Sequence, residues 1–283
     1  MSQIAASPLK RPHLSIRAGS GFVGLNIAEL WQFRDLLGGL ARRDVRLRYR
    51  QTALGVLWVI IQPLIAAGVM TFVFGTVAKL PSEGVPYFAY AFASLLGWNL
   101  FASTLTKAGS CLTGNANLVS KVYFPRLILP LSIVPSSLID FAVASSIMVF
   151  LMFKAGIQPT WAMLLLPVWL SLLLMFALGI GLYASALMVS YRDVQFILPV
   201  MIQLLFYGSP VVYSLTQVPD WALSVYMLNP LAELMRDLRW SILGTTTPPD
   251  IRWVAYSAAI CIGVFVLGAV TFKRMERRFA DVI

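Results

Sequence analysis

Five arginines fall within ten residues, Arg42, Arg43, Arg46, Arg48 and Arg50, in the stretch LARRDVRLRYRQTALGVLWVIIQPLI that begins at Leu40. A guanidinium presents a planar fork of N–H donors that grips a phosphate or carboxylate two bonds at a time. The chemistry on offer is therefore anion recognition. An apolar run begins near Ala53, so a nucleic acid, a targeting function and a membrane surface all have to be weighed as the reason for the cluster. Residues suited to bond-breaking are sparse elsewhere. The one histidine, His13, sits in a polar tail, and Cys111 and Cys261 have no CxxC partner. No acid pair and no nucleophile–base set occurs inside the chain, so neither a catalytic nor a metal site is expected. No GxxxxGK[ST] is present, and no Gly-Lys pair at all, which excludes ATP binding by a P-loop.

The elements that must position the arginines follow from composition. The 283 residues are 59% hydrophobic and only 12% charged, with mean hydropathy +0.78. Soluble domains carry about 25% charged residues. The chain reads as an all-α, multi-pass membrane protein. Its net charge of +10 does not indicate nucleic acid, because the Lys and Arg lie in short segments between apolar runs.

A spanning helix needs about 20 apolar residues. Six segments qualify, at residues 53–78, 87–106, 127–153, 161–190, 196–213 and 254–272. Pro63 is expected to kink the first, and Pro199, Gly208 and Pro210 interrupt the short fifth. With the N-terminus inside, seventeen of the 22 basic residues fall on the inner side and five on the outer. The asymmetry places both termini in the cytoplasm. Residues 1–29 read as a flexible, uncleaved cytoplasmic tail, 30–52 as an interface helix, 53–273 as the six-span domain and 274–283 as a cytoplasmic C-terminus.

On a helical projection Leu30, Phe33, Leu36, Leu37, Leu40 and Leu47 share one face, opposite Arg42, Arg43, Arg46 and Arg50. This predicts an amphipathic helix lying flat on the membrane. Asp44 and Arg48 fit the pattern badly, and Gly38-Gly39 weakens the helix and is expected to mark a bend. The row has two compatible readings. It is a topology signal with lipid anchoring, or it receives a phosphate-bearing head group through Arg42, Arg43, Arg46 and Arg50.

The loop CLTGNANLVSKVYFPRLILP, from Cys111, is too polar for the bilayer. Its NANLVSKVYF portion predicts a short helix that would serve a soluble partner or act as a plain connector. SYRDV, 190–194, is a smaller contact on the same side. On the outer side, Pro219-Asp220 and Asn229-Pro230 are helix-start signals. Two short helices are expected, at 221–228 and 231–243, the second mildly amphipathic and ending at Gly244. They act as an interfacial cap or re-enter the membrane.

Asp140 is the one acid near the middle of a span, so it must face protein or water. Ser136, Ser137 and Ser145 lie nearby, and an interhelical hydrogen bond is the favoured reading over a transport role. Phe72, Phe74, Tyr87, Tyr90, Tyr207 and Tyr213 gather near the outer ends of spans one, two and five. They form an interfacial aromatic belt or a lining on which sugar rings stack.

In order along the chain, LLGGLARRDVRLRYRQTALGVLWVIIQPLI, NANLVSKVYFPRLILP, SYRDVQFILPV, YGSPVVYSLTQVP and LNPLAELMRDLRWSILG resemble the permease subunit of bacterial type-2 ABC exporters for cell-surface polysaccharide (O-antigen, capsule and teichoic acid). The likeness runs from about Leu30 to the C-terminus. It implies a homodimer in the bacterial cytoplasmic (inner) membrane, paired with two copies of a soluble ABC ATPase that binds ATP and Mg. The resemblance makes a docking helix of the stretch holding Asn115, Asn117, Leu118, Lys121 and Tyr123. The helices carrying Trp221, Asn229, Pro230 and Arg236 would form an outer gate. A channel from spans one and five would pass a polysaccharide on an undecaprenyl diphosphate carrier, whose charge gives the arginines a ligand. An efflux permease for drugs or small lipophilic compounds on the same scaffold is the alternative, and it would show a pocket lined only by aliphatic residues. A membrane enzyme acting on a polyprenyl carrier would need an acidic or histidine cluster at the inner face, where the acids are scattered.

Overall fold

A backbone in hydrocarbon must close its own hydrogen bonds, which for an unpaired segment means a helix. The computed structural model describes residues 27–49, 55, 57–244 and 248–282, and among them there are helices and no strands. The side chains of residues 27–28, 48–49 and 277–282 are not part of that description. In chain order the helices are α1 (Ile27–Gln32), α2 (Arg34–Tyr49), α3 (Leu57–Met70), α4 (Tyr87–Gly109), α5 (Cys111–Gly114), α6 (Ala116–Lys121) and α7 (Ile128–Leu131). Then come α8 (Ile133–Ala155), α9 (Leu166–Ser190), α10 (Val194–Tyr207), α11 (Asp220–Tyr226), α12 (Pro230–Leu243) and α13 (Ile251–Val282).

Among the described residues, five stretches are long and apolar enough to cross a membrane: Leu57–Val77, Tyr87–Gly109, Ile128–Ala155, Trp161–Ser190 and Ile251–Glu276. The first is α3 continued by a π-helical segment, Thr71–Val77, with Pro63 buried inside α3. The fifth expected span is realised as α10, 14 residues long. At 1.5 Å per residue that is about 21 Å, short of a hydrocarbon core of about 30 Å. Beyond Tyr207 the chain leaves the helix, and Ser209, Val211 and Val212 are buried without being helical. Such backbone tolerates membrane depth only when protein encloses it.

α4 is the central helix. Ala89, Tyr90, Ala91, Phe92 and Ala93 are all almost fully buried, against α8, α9 and α12. α9 and α13 make the most extensive helix pair. Their backbones meet at glycine: a Cβ on Gly268 would lie 2.1 Å from the Gly179 carbonyl oxygen. A second apolar cluster, with Leu40, Leu112, Val119, Ile128, Leu182 and Phe272, fills the end of the bundle that carries the arginines.

The expected amphipathic helix is bent, but not at the glycines. The break is a turn at Phe33 between α1 and α2, while Gly38 and Gly39 continue inside α2. Leu30, Phe33, Leu36, Leu37 and Leu40 pack on the second cluster as their spacing requires. Leu47 does not: it is 61% exposed. α12 departs further from expectation. Expected as a mildly amphipathic interfacial cap or re-entrant segment, it has 13 of its 14 residues buried, against α4, α9 and α13. Pro230 at its first position and Gly244 in the left-handed region (φ 66°) at its C-terminus delimit it.

Candidate functional site

Two polar regions stand at opposite ends of the bundle. At the arginine end, α2 lies against α7 and α8 and turns Arg42, Arg43 and Arg46 outward. Arg50 lies outside the described residues. Arg43 is the one that reaches back. Its Nη2 donates to Asn115 Oδ1 at 2.8 Å and to Asp44 Oδ1 at 3.0 Å. Asp44, which fitted the apolar face badly, is thereby turned aside. Asn115 also donates to the Cys111 carbonyl, so the residue preceding α6 is fixed between α2 and α5.

The loop from Cys111 folds into α5 and α6. Its inner face, Cys111, Leu112 and Val119, is buried. Asn117, Lys121, Val122 and Tyr123 are exposed, and Leu118 is half-buried. Burial pushes the Cys111 thiol up to about 12 despite the hydroxyl of Ser185 beside it, so it is an inert packing residue. Arg126 ties this segment to the last helix: its amide donates to Glu276 Oε1 at 3.0 Å and its Nη1 to the Glu276 carbonyl at 2.9 Å. Glu276 also pairs with Lys273. The exposed strip on α6 is thus anchored to both α2 and α13.

Asp140, on α8, finds its partner across the bundle in Lys107, in the last turn of α4, with Nζ 3.4 Å from Oδ2. Among the described contacts the interhelical partner is a lysine; Ser136 spends its hydroxyl on the Ile133 carbonyl. Asp140 also lines a cleft of about 320 Å³ between α3, α4 and α8, with Gln62, Asn99 and Ser103. A second cleft, of about 400 Å³, opens between α2, the end of α4 and α8, and Arg43, Asp44 and Lys107 face it. Neither is the wholly aliphatic pocket that a carrier of small lipophiles would show.

At the far end, α12 holds a charged cluster inside the protein. Glu233, Asp237 and Arg239 are fully buried. Arg236 donates to Glu233 at 2.5 Å and lies 3.6 Å from Asp237. Arg239 sits over the Tyr90 ring, 4.8 Å from its centroid, and its Nη1 donates to Ser94 Oγ and the Pro210 carbonyl. Tyr87 OH donates to the Val212 carbonyl at 2.5 Å. Asn229 accepts from the Leu231 amide as the α12 cap and donates to the Gly208 carbonyl and Ser209 Oγ. The irregular stretch after α10 is therefore fastened to α4 and α12 from several sides.

The aromatic residues divide accordingly. Phe72 and Tyr207 are exposed, 65% and 63%. Phe74 and Tyr213 are half-buried, and Tyr213 OH bonds Tyr226 OH at 2.8 Å. Tyr87 and Tyr90, which the sequence offered as part of an interfacial belt or of a sugar lining, are inside the core, 8% and 0% exposed; Tyr90 packs under Arg239. Trp221 is 85% exposed on α11.

Sequence reasoning missed Lys107 as the partner of Asp140, the Arg126–Glu276 clamp and the burial of α12. The signal for the last was present: Glu233, Arg236, Asp237 and Arg239 carry no net charge within two turns.

The ABC-2 type transporter family model matches residues 36–243. The chain is 30% identical over 259 residues to the "O-antigen export system permease protein RfbA" of Myxococcus xanthus, covering 91% of the chain and 98% of that protein. It is 26% identical over 253 residues to a protein of the same name from Klebsiella pneumoniae, covering 88% and 95%. It is 23% identical over 240 residues to the "Polysialic acid transport protein KpsM" of Escherichia coli, covering 83% and 91%. With its spanning helices, its exposed connector between α4 and α8 and this match over most of its length, the chain belongs to the ABC-2 type transporter family.

Proposed function

We propose that this chain is the membrane subunit of an ATP-driven exporter that moves lipid-linked polysaccharide across the bacterial cytoplasmic membrane. The observation that carries the reading is the 30% identity to an O-antigen export permease over 98% of that protein. The chain supplies the path; ATP and Mg belong to a separate ABC ATPase, two copies of which serve a homodimer. Asn117, Lys121 and Tyr123, exposed on and after α6, offer the docking surface, and the ties of Arg43 and Arg126 hand its movement to α2 and α13.

In this reading α10, with the enclosed stretch after it and α11–α12, completes a sixth crossing. Both termini face the cytoplasm, as the seventeen-to-five division of basic residues requires. Arg42, Arg43, Arg46 and Arg50 form the face that meets the diphosphate of the carrier lipid at the inner surface. Phe72 and Tyr207, with Phe74 and Tyr213 behind them, stack on passing sugars. Trp221, Asn229, Pro230 and Arg236 belong to an outer gate that α12 holds rigid. The charged and polar side chains among the lining of both clefts disfavour the efflux of small lipophiles.

The test is ATPase activity of the purified chain with its ATPase in lipid nanodiscs. Stimulation by a lipid-linked polysaccharide, and not by the carrier lipid alone, is expected. Stimulation by small lipophiles with no response to the polymer would replace this reading with efflux.

A further inference from the structure

We propose that the cleft between α3, α4 and α8 is a sugar subsite, in which Gln62, Asn99, Ser103 and Ser137 hydrogen-bond the hydroxyls of a neutral unit of the polymer in transit. The proposal rests on the reading of the chain as a polysaccharide exporter. It adds a place midway through the membrane where the sugar is gripped, apart from the aromatic residues near the outer ends of the spans.

Polar side chains at membrane depth are costly unless they meet a partner. Several here meet one on their own helix: the Thr71 hydroxyl donates to the Ala67 carbonyl at 2.6 Å and the Thr106 hydroxyl to the Ala102 carbonyl at 2.8 Å. The cleft gathers others that are served less well. Gln62 is the only side-chain amide in Leu57–Val77 and Asn99 the only one in Tyr87–Gly109. Both are exposed and both line the cleft. Asn99 lies near the midpoint of α4, and Ser103 follows one turn later on the same face. The Ser103 hydroxyl makes a long bond, 3.5 Å, to the Leu100 carbonyl. Ser137 is 1% exposed, and its hydroxyl has no hydrogen-bond partner among the described residues. Val59 is on the wall as well, and Pro63, which has no N–H, cannot serve its carbonyl.

These groups come from three helices, so the set exists only in the fold. The cleft holds about 320 Å³, the small end of the range of ligand sites. Phe141 and aliphatic residues make up the rest of the wall, which suits the C–H face of a sugar ring. The amides and hydroxyls both give and accept bonds, as sugar hydroxyls require. No Lys or Arg lines the cleft among the described residues, so a phosphate or an acidic sugar finds no cation there. Asp140, held by Lys107, is not counted among the sugar's partners. The rival occupant is a second copy of the chain. It would meet Gln62 and Asn99 from outside, whereas Ser137, almost fully buried, is within reach only of a ligand that enters.

The experiment uses the complete complex of chain and ATPase in lipid nanodiscs. A neutral hexose oligosaccharide on polyprenyl diphosphate is titrated, and so is the matching oligosaccharide with uronic acid units. The half-saturating concentration for ATPase stimulation is read. Gln62→Leu/Asn99→Leu raises it for the neutral probe by about tenfold, the scale of two lost hydrogen bonds, and Ser137→Ala raises it by about threefold. Ser146→Ala, exposed on α8 outside the cleft, changes it by less than about twofold. In wild type the acidic probe half-saturates at a severalfold higher concentration; equal values for the two probes would overturn the preference for a neutral unit. Unchanged half-saturation in the double variant and in Ser137→Ala, with stimulation intact, would overturn the subsite and leave the exporter reading standing. A wild-type complex that neither probe stimulates would overturn the exporter reading and the subsite with it. Separation of the double variant into single copies, read by chemical cross-linking, with Ser137→Ala behaving as wild type, would assign the two amides to a contact between copies and overturn the subsite.

Discussion

Arg239 and Arg43 carry the same guanidinium into opposite surroundings. Arg239 is sealed between α12, α4 and the stretch after α10, with the Tyr90 ring, Ser94 Oγ and the Pro210 carbonyl as its partners. Arg43 opens into a cleft with Asp44 and Asn115. Enclosing a charge costs several kcal/mol unless it is matched within the protein. α12 meets that condition from its own sequence, since Glu233 and Asp237 offset Arg236 and Arg239 within two turns. α2 does not: its last three turns hold Arg42, Arg43, Arg46 and Arg48 against Asp44 alone. A balanced cluster can be buried and act as a fastening. An unbalanced one stays near water and is available to an outside anion.

This contrast is broken or sharpened by variants ranked by their effect on folding. Arg239→Met should cost most, about 3–5 kcal/mol, because it strands two buried acceptors and leaves two buried acids facing one arginine. Thermal unfolding of the purified chain in detergent reads it; a loss below about 1 kcal/mol would mean that α12 is not a fastening. Asn229→Ala should cost about 1 kcal/mol through the lost cap, with the bonds to Gly208 and Ser209 adding to it. The same melting experiment checks it, and no change would detach the cap from the fastening. Arg42→Gln, Arg43→Gln and Arg46→Gln together should cost about 1 kcal/mol, mostly through the lost Arg43 bond to Asn115. Their export rate should fall about tenfold. A normal rate, followed by appearance of polymer at the cell surface, would leave the row as an anchor only. Tyr123→Ala, 65% exposed, should leave melting unchanged and lower ATPase activity of the reconstituted complex severalfold. An unchanged rate would remove that side chain from the docking surface.

Much of this was legible in the sequence, for reasons that differ by element. The stretches expected at 87–106 and 161–190 coincide to within about three residues with apolar helices of spanning length, because length and hydropathy alone decide them. The apolar face shared by α1 and α2 was visible from Leu30 to Leu40, since its leucines keep a helical period. Its bend was misplaced: glycine lowers helix propensity, but the packing of α2 on α7 and α8 holds Gly38 and Gly39 helical. The fifth span was overextended because Val211, Val212 and Tyr213 are apolar. Their burial shows that apolar character marked enclosure there, and it did not mark a helix.

The site was less legible. Tyr87 and Tyr90 have the composition of an aromatic lining, but Tyr90 packs under Arg239, 149 positions later in the chain, and Tyr87 bonds the Val212 carbonyl. The partner of Asp140 was hidden for a similar reason. Lys107 looks like a loop residue by hydropathy, yet α4 continues to Gly109 and carries it to Asp140. Pairings between distant segments are properties of packing, and no local pattern records them.

The most direct measurement of the central claim is ATP-driven movement of a fluorescent lipid-linked polysaccharide into proteoliposomes containing this chain and its ABC ATPase. Time-dependent protection of the polymer that requires both ATP and the lipid diphosphate link is the expected result. Hydrolysis of ATP with no movement of the polymer, in vesicles that do transport a small lipophile, would contradict the account.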